Sequence, residues 1–173
     1  MDLTTQIASI ENFPKPGITF RDITPILSNP EAFHEVIAQL TQIAKDFGAT
    51  AIVAPEARGF IFAIPVAFDA KLPFIPVRKP GKLPRAVIEE SYALEYGTDR
   101  LQMHVDDLPK GSKVLIVDDL LATGGTVEAI SRLIKRAGSE VVGYAFVVEL
   151  DDLNGRAKLQ DAPIQSLVHY KGE

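Results

Sequence analysis

Apolar positions recur along the chain with two different spacings, and their alternation predicts helices layered on a sheet. After Asn29-Pro30, Phe33, Val36, Ile37, Leu40, Ile43, Ala44 and Phe47 fall on one helical face, and Gly48 stops the run. Proline at the first helical position supports that start. Thr50 to Ala54, Phe74 to Arg78 and Lys113 to Asp118 are short, continuous apolar runs that predict buried strands. Gly59 to Ala70 predicts a helix interrupted or kinked at Pro65. Val127, Ile130, Leu133, Ile134 and Ala137 mark another helix, closed by Gly138. Arg100 to Val105 predicts an antiparallel strand, and Glu140 to Leu150 and Ile164 to Tyr170 the last strands. Residues 79–94 hold Pro80, Gly81, Pro84 and several charges and are expected to be a mobile loop. Strand–helix alternation with continuously apolar strands means an α/β fold: a central, mostly parallel sheet flanked by helices. Ligands of such sheets sit at the carboxyl ends of strands, here after Ala54, Arg78 and Val117.

Composition narrows the class. At 173 residues the chain suits one domain with a full core. It has no cysteine, so thiolate chemistry and disulfides are excluded, and a reducing cytoplasm fits. The start, Met1 to Gln6, lacks a basic-then-apolar signal pattern. The longest apolar run, Phe60 to Phe68 with Pro65 inside, is too short to span a membrane. A net charge of −5 argues against nucleic acid as a partner, so any anion must be met by a local cluster.

The chemistry concentrates after the best strand, in Val117-Asp118-Asp119-Leu120-Leu121-Ala122-Thr123-Gly124-Gly125-Thr126. Ala122, Thr123, Gly124, Gly125 and Thr126 form a small, hydroxylated loop opening a helix, where backbone N–H groups and the helix dipole can meet a phosphate. No lysine follows the glycines, so this is not a Walker loop. Asp118 and Asp119 would repel a phosphate but suit sugar hydroxyls, and a ribose 5-phosphate satisfies both features. The glycines alone fit a plain strand-end turn equally well. The whole string behind a buried strand favours the anion loop.

Val114 to Thr126 resembles the 5-phosphoribosyl-1-pyrophosphate (PRPP) signature of the type I phosphoribosyltransferases. Gly17 to Pro25, Pro55-Glu56-Ala57-Arg58-Gly59-Phe60 and Ser91 to Gly97 resemble the adenine phosphoribosyltransferase family, and the match runs from about Ile10 to Tyr170. The resemblance implies one domain over 1–173, with a hood over 1–30 that binds the base and a flexible catalytic loop over 79–97. It implies transfer of the phosphoribosyl group of PRPP to adenine, giving AMP and pyrophosphate, with Mg²⁺ carried by PRPP and no protein metal cage. It further implies a cytoplasmic homodimer and a cis peptide between Glu56 and Ala57. Ala63 departs from the glycine frequent in the family at that place.

Site roles follow the same resemblance. Arg58 offers a permanently charged fork for phosphate oxygens, and with Arg78, Lys79 and Lys82 it is assigned to pyrophosphate. Glu95 is the catalytic-loop acid, with Arg58 as the other catalytic candidate. Glu89 and Glu90 read as loop charges. Phe20 is the base platform, and main-chain groups of Thr19 and Arg21 would read the adenine edge, with Leu121 covering the other face. Phe20 alone could equally be core. His34, His104 and His169 are expected to be structural. Two other functions remain open on sequence: a transferase for another purine base, and a non-catalytic PRPP sensor.

Overall fold

Asn29 begins the first long helix as an N-cap, its side-chain oxygen accepting from the Glu31 and Ala32 amides at 3.1 and 3.3 Å. In the computed structural model, which describes residues 1–94 and 96–172, that helix is α2, Pro30–Asp46. Its apolar face, from Ala32 to Ala44, is buried. The short α1, Thr24–Ser28, precedes it. The antiparallel strands β1, Ala8–Ile10, and β2, Phe20–Asp22, form a small N-terminal hairpin sheet.

The strands β3, Ala51–Pro55; β4, Phe74–Val77; β7, Lys113–Leu121; β8, Glu140–Leu150; and β9, Ile164–Tyr170 make the central sheet. Their order is β4-β3-β7-β8-β9, parallel at every pairing. The strand β3 is buried along its whole length, as an apolar run covered on both faces must be. On one face Leu115 and Val117 of β7 pack with α2 and with α3, Arg58–Ala70. On the other, Val114 and Ile116 pack with α4, Gly125–Arg136. Helix α3 is helical through Pro65, and Ala63 is fully buried within its core contact.

The segment expected as a loop is corrected in part. Residues Val87–Ala93 form strand β5, paired antiparallel over its whole length with β6, Thr98–His104. This ribbon lies outside the main sheet. A bridge between Arg78 and Gln102 joins it to the end of β4, and Leu101 and Met103 bury themselves beside α4.

Candidate active site

Three strand ends converge on one edge. After β3 comes Glu56, whose peptide bond to Ala57 is cis, and then Arg58 opens α3. Arg78 and Lys79 follow β4. After β7, Ala122 to Gly124 turn into α4, with Gly124 in the left-handed region at φ +86°. The cleft over this turn, about 110 Å³, is lined by residues 120–127 and Asp118. Gly155 backs the loop from a distant part of the chain. A Cβ there would lie 2.5 Å from the Ala122 carbonyl oxygen and 2.8 Å from Leu121.

The two aspartates differ. Asp119 is buried and receives the Arg58 guanidinium at 2.9 Å. Asp118 accepts the Asp119 amide at 2.8 Å. Burial, then the Asp119 carboxylate beside it, pushes the Asp118 carboxyl well above the usual carboxylate range, and Arg58 only partly opposes this. An acid held this way gains from neutral hydroxyl partners.

The basic cluster gathers on Glu56. Its carboxylate receives the Lys79 amide at 2.8 Å, Arg78 Nε at 3.2 Å and Lys82 Nζ at 3.4 Å. Burial alone would raise its pKa, but these three partners outweigh it and hold the carboxyl below the ordinary value. Lys79 Nζ lies 3.6 Å from Asp99 on the ribbon. Arg58 does not share Glu56: its guanidinium pairs with Asp119. Arg85 pairs instead with Asp107 at 2.7 Å and with His104.

Phe20 stands in a cavity wall rather than in the core. A cavity of about 380 Å³ is lined by Ile10, Phe13, Phe20, Asp22, Ile23, Thr24 and Arg58. Phe13 meets Phe20 edge-on at 5.3 Å, and the Arg58 guanidinium lies 5.9 Å from the Phe20 ring centre. Arg58 thus joins an aromatic pocket to the acidic pair. The Arg21 side chain leaves the pocket and lies 4.0 Å over the Tyr170 ring, tying the hairpin to β9. Thr19 is half-buried beside Phe20. Leu121 is corrected: its side chain is fully buried on the α4 side of the sheet, whereas Leu120 is partly exposed beside the loop. Glu95 lies outside the described residues.

Comparison with known proteins fits this geometry. The Phosphoribosyl transferase domain family matches residues 22–168. A curated adenine phosphoribosyltransferase of Aeromonas salmonicida is 58% identical over 99% of this chain and 96% of its own. The chain belongs to the adenine phosphoribosyltransferase family. A solved adenine phosphoribosyltransferase of Thermoanaerobacter pseudethanolicus superposes with a TM-score of 0.93 at 45% identity, covering 98% of each chain. The Saccharomyces cerevisiae enzyme, solved with adenine and an imino-altritol bisphosphate, gives 0.91 at 39% identity over 96% of each chain.

For such a family the strand ends hold more than the sequence pattern marks. Glu56, Asp99, Leu120 and Gly155 all touch the site, and spacing along the chain assigns none of them a role there. A separate cluster, Glu149, Asp151 and His169, has ligand atoms within 4.8 Å of one another. Arg156 already occupies Glu149 at 2.6 Å, and His169 is bound to Asp151 at 2.7 Å. Among the described residues no helix is long and apolar enough to cross a membrane.

Proposed function

We propose that the protein transfers the 5-phosphoribosyl group of PRPP to adenine, forming AMP and pyrophosphate, a step of purine salvage. One observation carries the reading. The phosphate-type loop, the acidic pair and an aromatic pocket are contiguous, with Arg58 spanning the last two. The 5-phosphate enters the Ala122–Thr126 turn, where the amides and the α4 dipole favour an anion. Asp118 and Asp119 take the ribose hydroxyls. Arg78, Lys79 and Lys82 exchange their carboxylate partners for pyrophosphate, whose Mg²⁺ arrives with the substrate. Adenine lies against Phe20, with Leu120 on the loop side and the Thr19–Arg21 main chain at its edge.

In the reaction the C1–O bond to pyrophosphate breaks as the adenine nitrogen bonds C1, and the adenine proton departs. Positive charge grows on the ribose ring in between. The Asp119 carboxylate, fixed by Arg58, is a fixed negative charge close to it. Glu95 is assigned either the proton at the base or the charge at C1. Replacing it by glutamine should lower kcat about 100-fold with PRPP affinity changed only slightly. Steady-state kinetics beside PRPP titration calorimetry check this, and near-normal turnover removes Glu95 from the mechanism.

A homodimer in the cytoplasm completes the proposal. Ile64 and Phe68 stand out from α3, Phe68 at 87% exposure, and pairing would cover them. The zero cysteine count fits a reducing compartment. The deciding experiment offers adenine, hypoxanthine, guanine and xanthine together with Mg²⁺ and PRPP. AMP alone is the expected product. Another nucleotide overturns the base assignment, and no nucleotide with tight PRPP binding favours the sensor.

A further inference from the structure

Alternation along β5 puts Ile88, Glu90 and Tyr92 on one face, and helical spacing puts Glu128, Arg132 and Arg136 in one stripe on α4. These two rows meet. Glu90 receives Arg132 Nε at 3.2 Å on one oxygen and Arg136 Nη1 at 2.8 Å on the other. Arg132 also donates to the Ser91 carbonyl at 2.9 Å and to Glu128 at 2.9 Å, and Arg136 donates to the Glu89 carbonyl. Ile88 and Tyr92 pack on the core on either side of this contact.

Such a tie is needed here. A two-stranded ribbon is marginal by itself in water, and among the described residues its backbone bridge to the main sheet is the single pair Arg78 and Gln102. The helix that grips the ribbon begins at the phosphate loop. Beyond the grip, the Tyr92 hydroxyl donates to Asp99 at 3.4 Å and meets the Thr126 side chain. Asp99 holds Lys79 at 3.6 Å. Thr126 lines the 5-phosphate turn and Lys79 is assigned to pyrophosphate. A chain of polar contacts therefore links the two ends that must grip one donor molecule.

We propose that Glu90 is a positioning residue for the phosphoribosyl donor: it docks β5 on α4 and so fixes Tyr92 and Asp99 between the 5-phosphate turn and Lys79. This rests on the assignment of PRPP to those two ends. The pairs are partly exposed, so they add little to global stability. Their effect is on where the ribbon stands.

The test compares Glu90→Ala, Glu90→Gln and Arg132→Met with wild type. In Glu90→Ala the KM for Mg²⁺–PRPP should rise about tenfold, a misplacement effect. The adenine KM should stay within twofold and the Tm within about 4 °C. Glu90→Gln keeps an acceptor oxygen for the arginines and should fall between. Arg132→Met, which keeps the helix and loses the fork, should follow Glu90→Ala. Hydrogen exchange should quicken in Val87–Ala93 and stay unchanged in α4. A PRPP KM within twofold of wild type in Glu90→Ala overturns the proposal. So does an equal rise in both KM values with a large fall in Tm, which marks a merely structural role. Wild type that binds no PRPP overturns the underlying assignment as well, and unchanged exchange in β5 separately overturns the docking.

Discussion

Alanine at Gly124 should lower kcat/KM for PRPP about 100-fold while the protein still folds. Gly124 sits at φ +86°, where a side chain costs about 1 kcal/mol. Space is the larger obstacle. The new Cβ would stand 2.9 Å from the Gly155 carbonyl oxygen, a backbone atom that cannot swing aside. Gly155 is itself hemmed in: a Cβ built on it would stand 2.5 Å from the Ala122 carbonyl oxygen and 2.8 Å from the Leu121 side chain. The strain must therefore come out in the turn itself, and its amides no longer converge on one phosphate. A displacement near 1 Å in a positioning element can cost about 100-fold in rate. The thermal loss should stay within about 1–3 kcal/mol, the range for a strained backbone position away from the main core. Initial rates against PRPP and calorimetry with ribose 5-phosphate check both parts. Affinity for ribose 5-phosphate equal to wild type would remove this turn as the phosphate site.

The sheet was legible in the sequence because its strands are covered on both faces and read as unbroken apolar runs. The turn after β7 was legible because its needs are local: a strand, small residues, a helix start. The ribbon was not. Pro80, Gly81 and Pro84 announce a loop, and β5 uses its Glu89 and Glu90 positions on arginines and Gln102, so no apolar alternation survives to mark a strand. The exchange of Leu121 for Leu120 has a similar cause. Ile116 and Leu121 pack on the α4 side, Val117 and Leu120 on the α2–α3 side. The two-residue alternation thus slips by one across Asp118-Asp119, which leaves Leu120 and not Leu121 partly exposed beside the loop. Gly155 and Glu56 act through contacts with distant segments, which no spacing rule reports. Phe20 became a pocket residue only when the hairpin placed it against Arg58 instead of the core.

The substitution Asp118→Asn should make the protein more stable near neutral pH and much less active. In the fold the Asp118 carboxyl is desolvated and lies beside a second carboxylate, so its pKa stands well above 3.8. The native state therefore binds this proton more tightly than the unfolded chain does. Stability from this group is fully present below about pH 4 and falls as pH rises from there toward the native value. The depressed carboxyls Glu56 and Glu90 act in the opposite sense, lending stability that is lost only as pH falls through their native values, and both proteins share them. The replacement amide would carry no charge and could still accept the Asp119 amide N–H through its oxygen. The Tm of Asp118→Asn should then equal that of wild type near pH 4 and exceed it by about 4 °C at pH 7, the shift of roughly 1–2 kcal/mol in a chain of this size. Activity moves the other way. A hydroxyl bound to a carboxylate is worth about 1.5–3 kcal/mol, so exchanging the carboxylate for an amide should reduce kcat/KM for PRPP roughly 10- to 100-fold. Melting curves across pH 4–8 and initial rates at pH 7 test the pair of effects. Equal or lower Tm at pH 7 would mean that Arg58 and the loop hold the Asp118 charge without penalty. A gain in Tm joined to lost PRPP turnover would show that the acidic pair is strained for the substrate, a stability sacrificed to function.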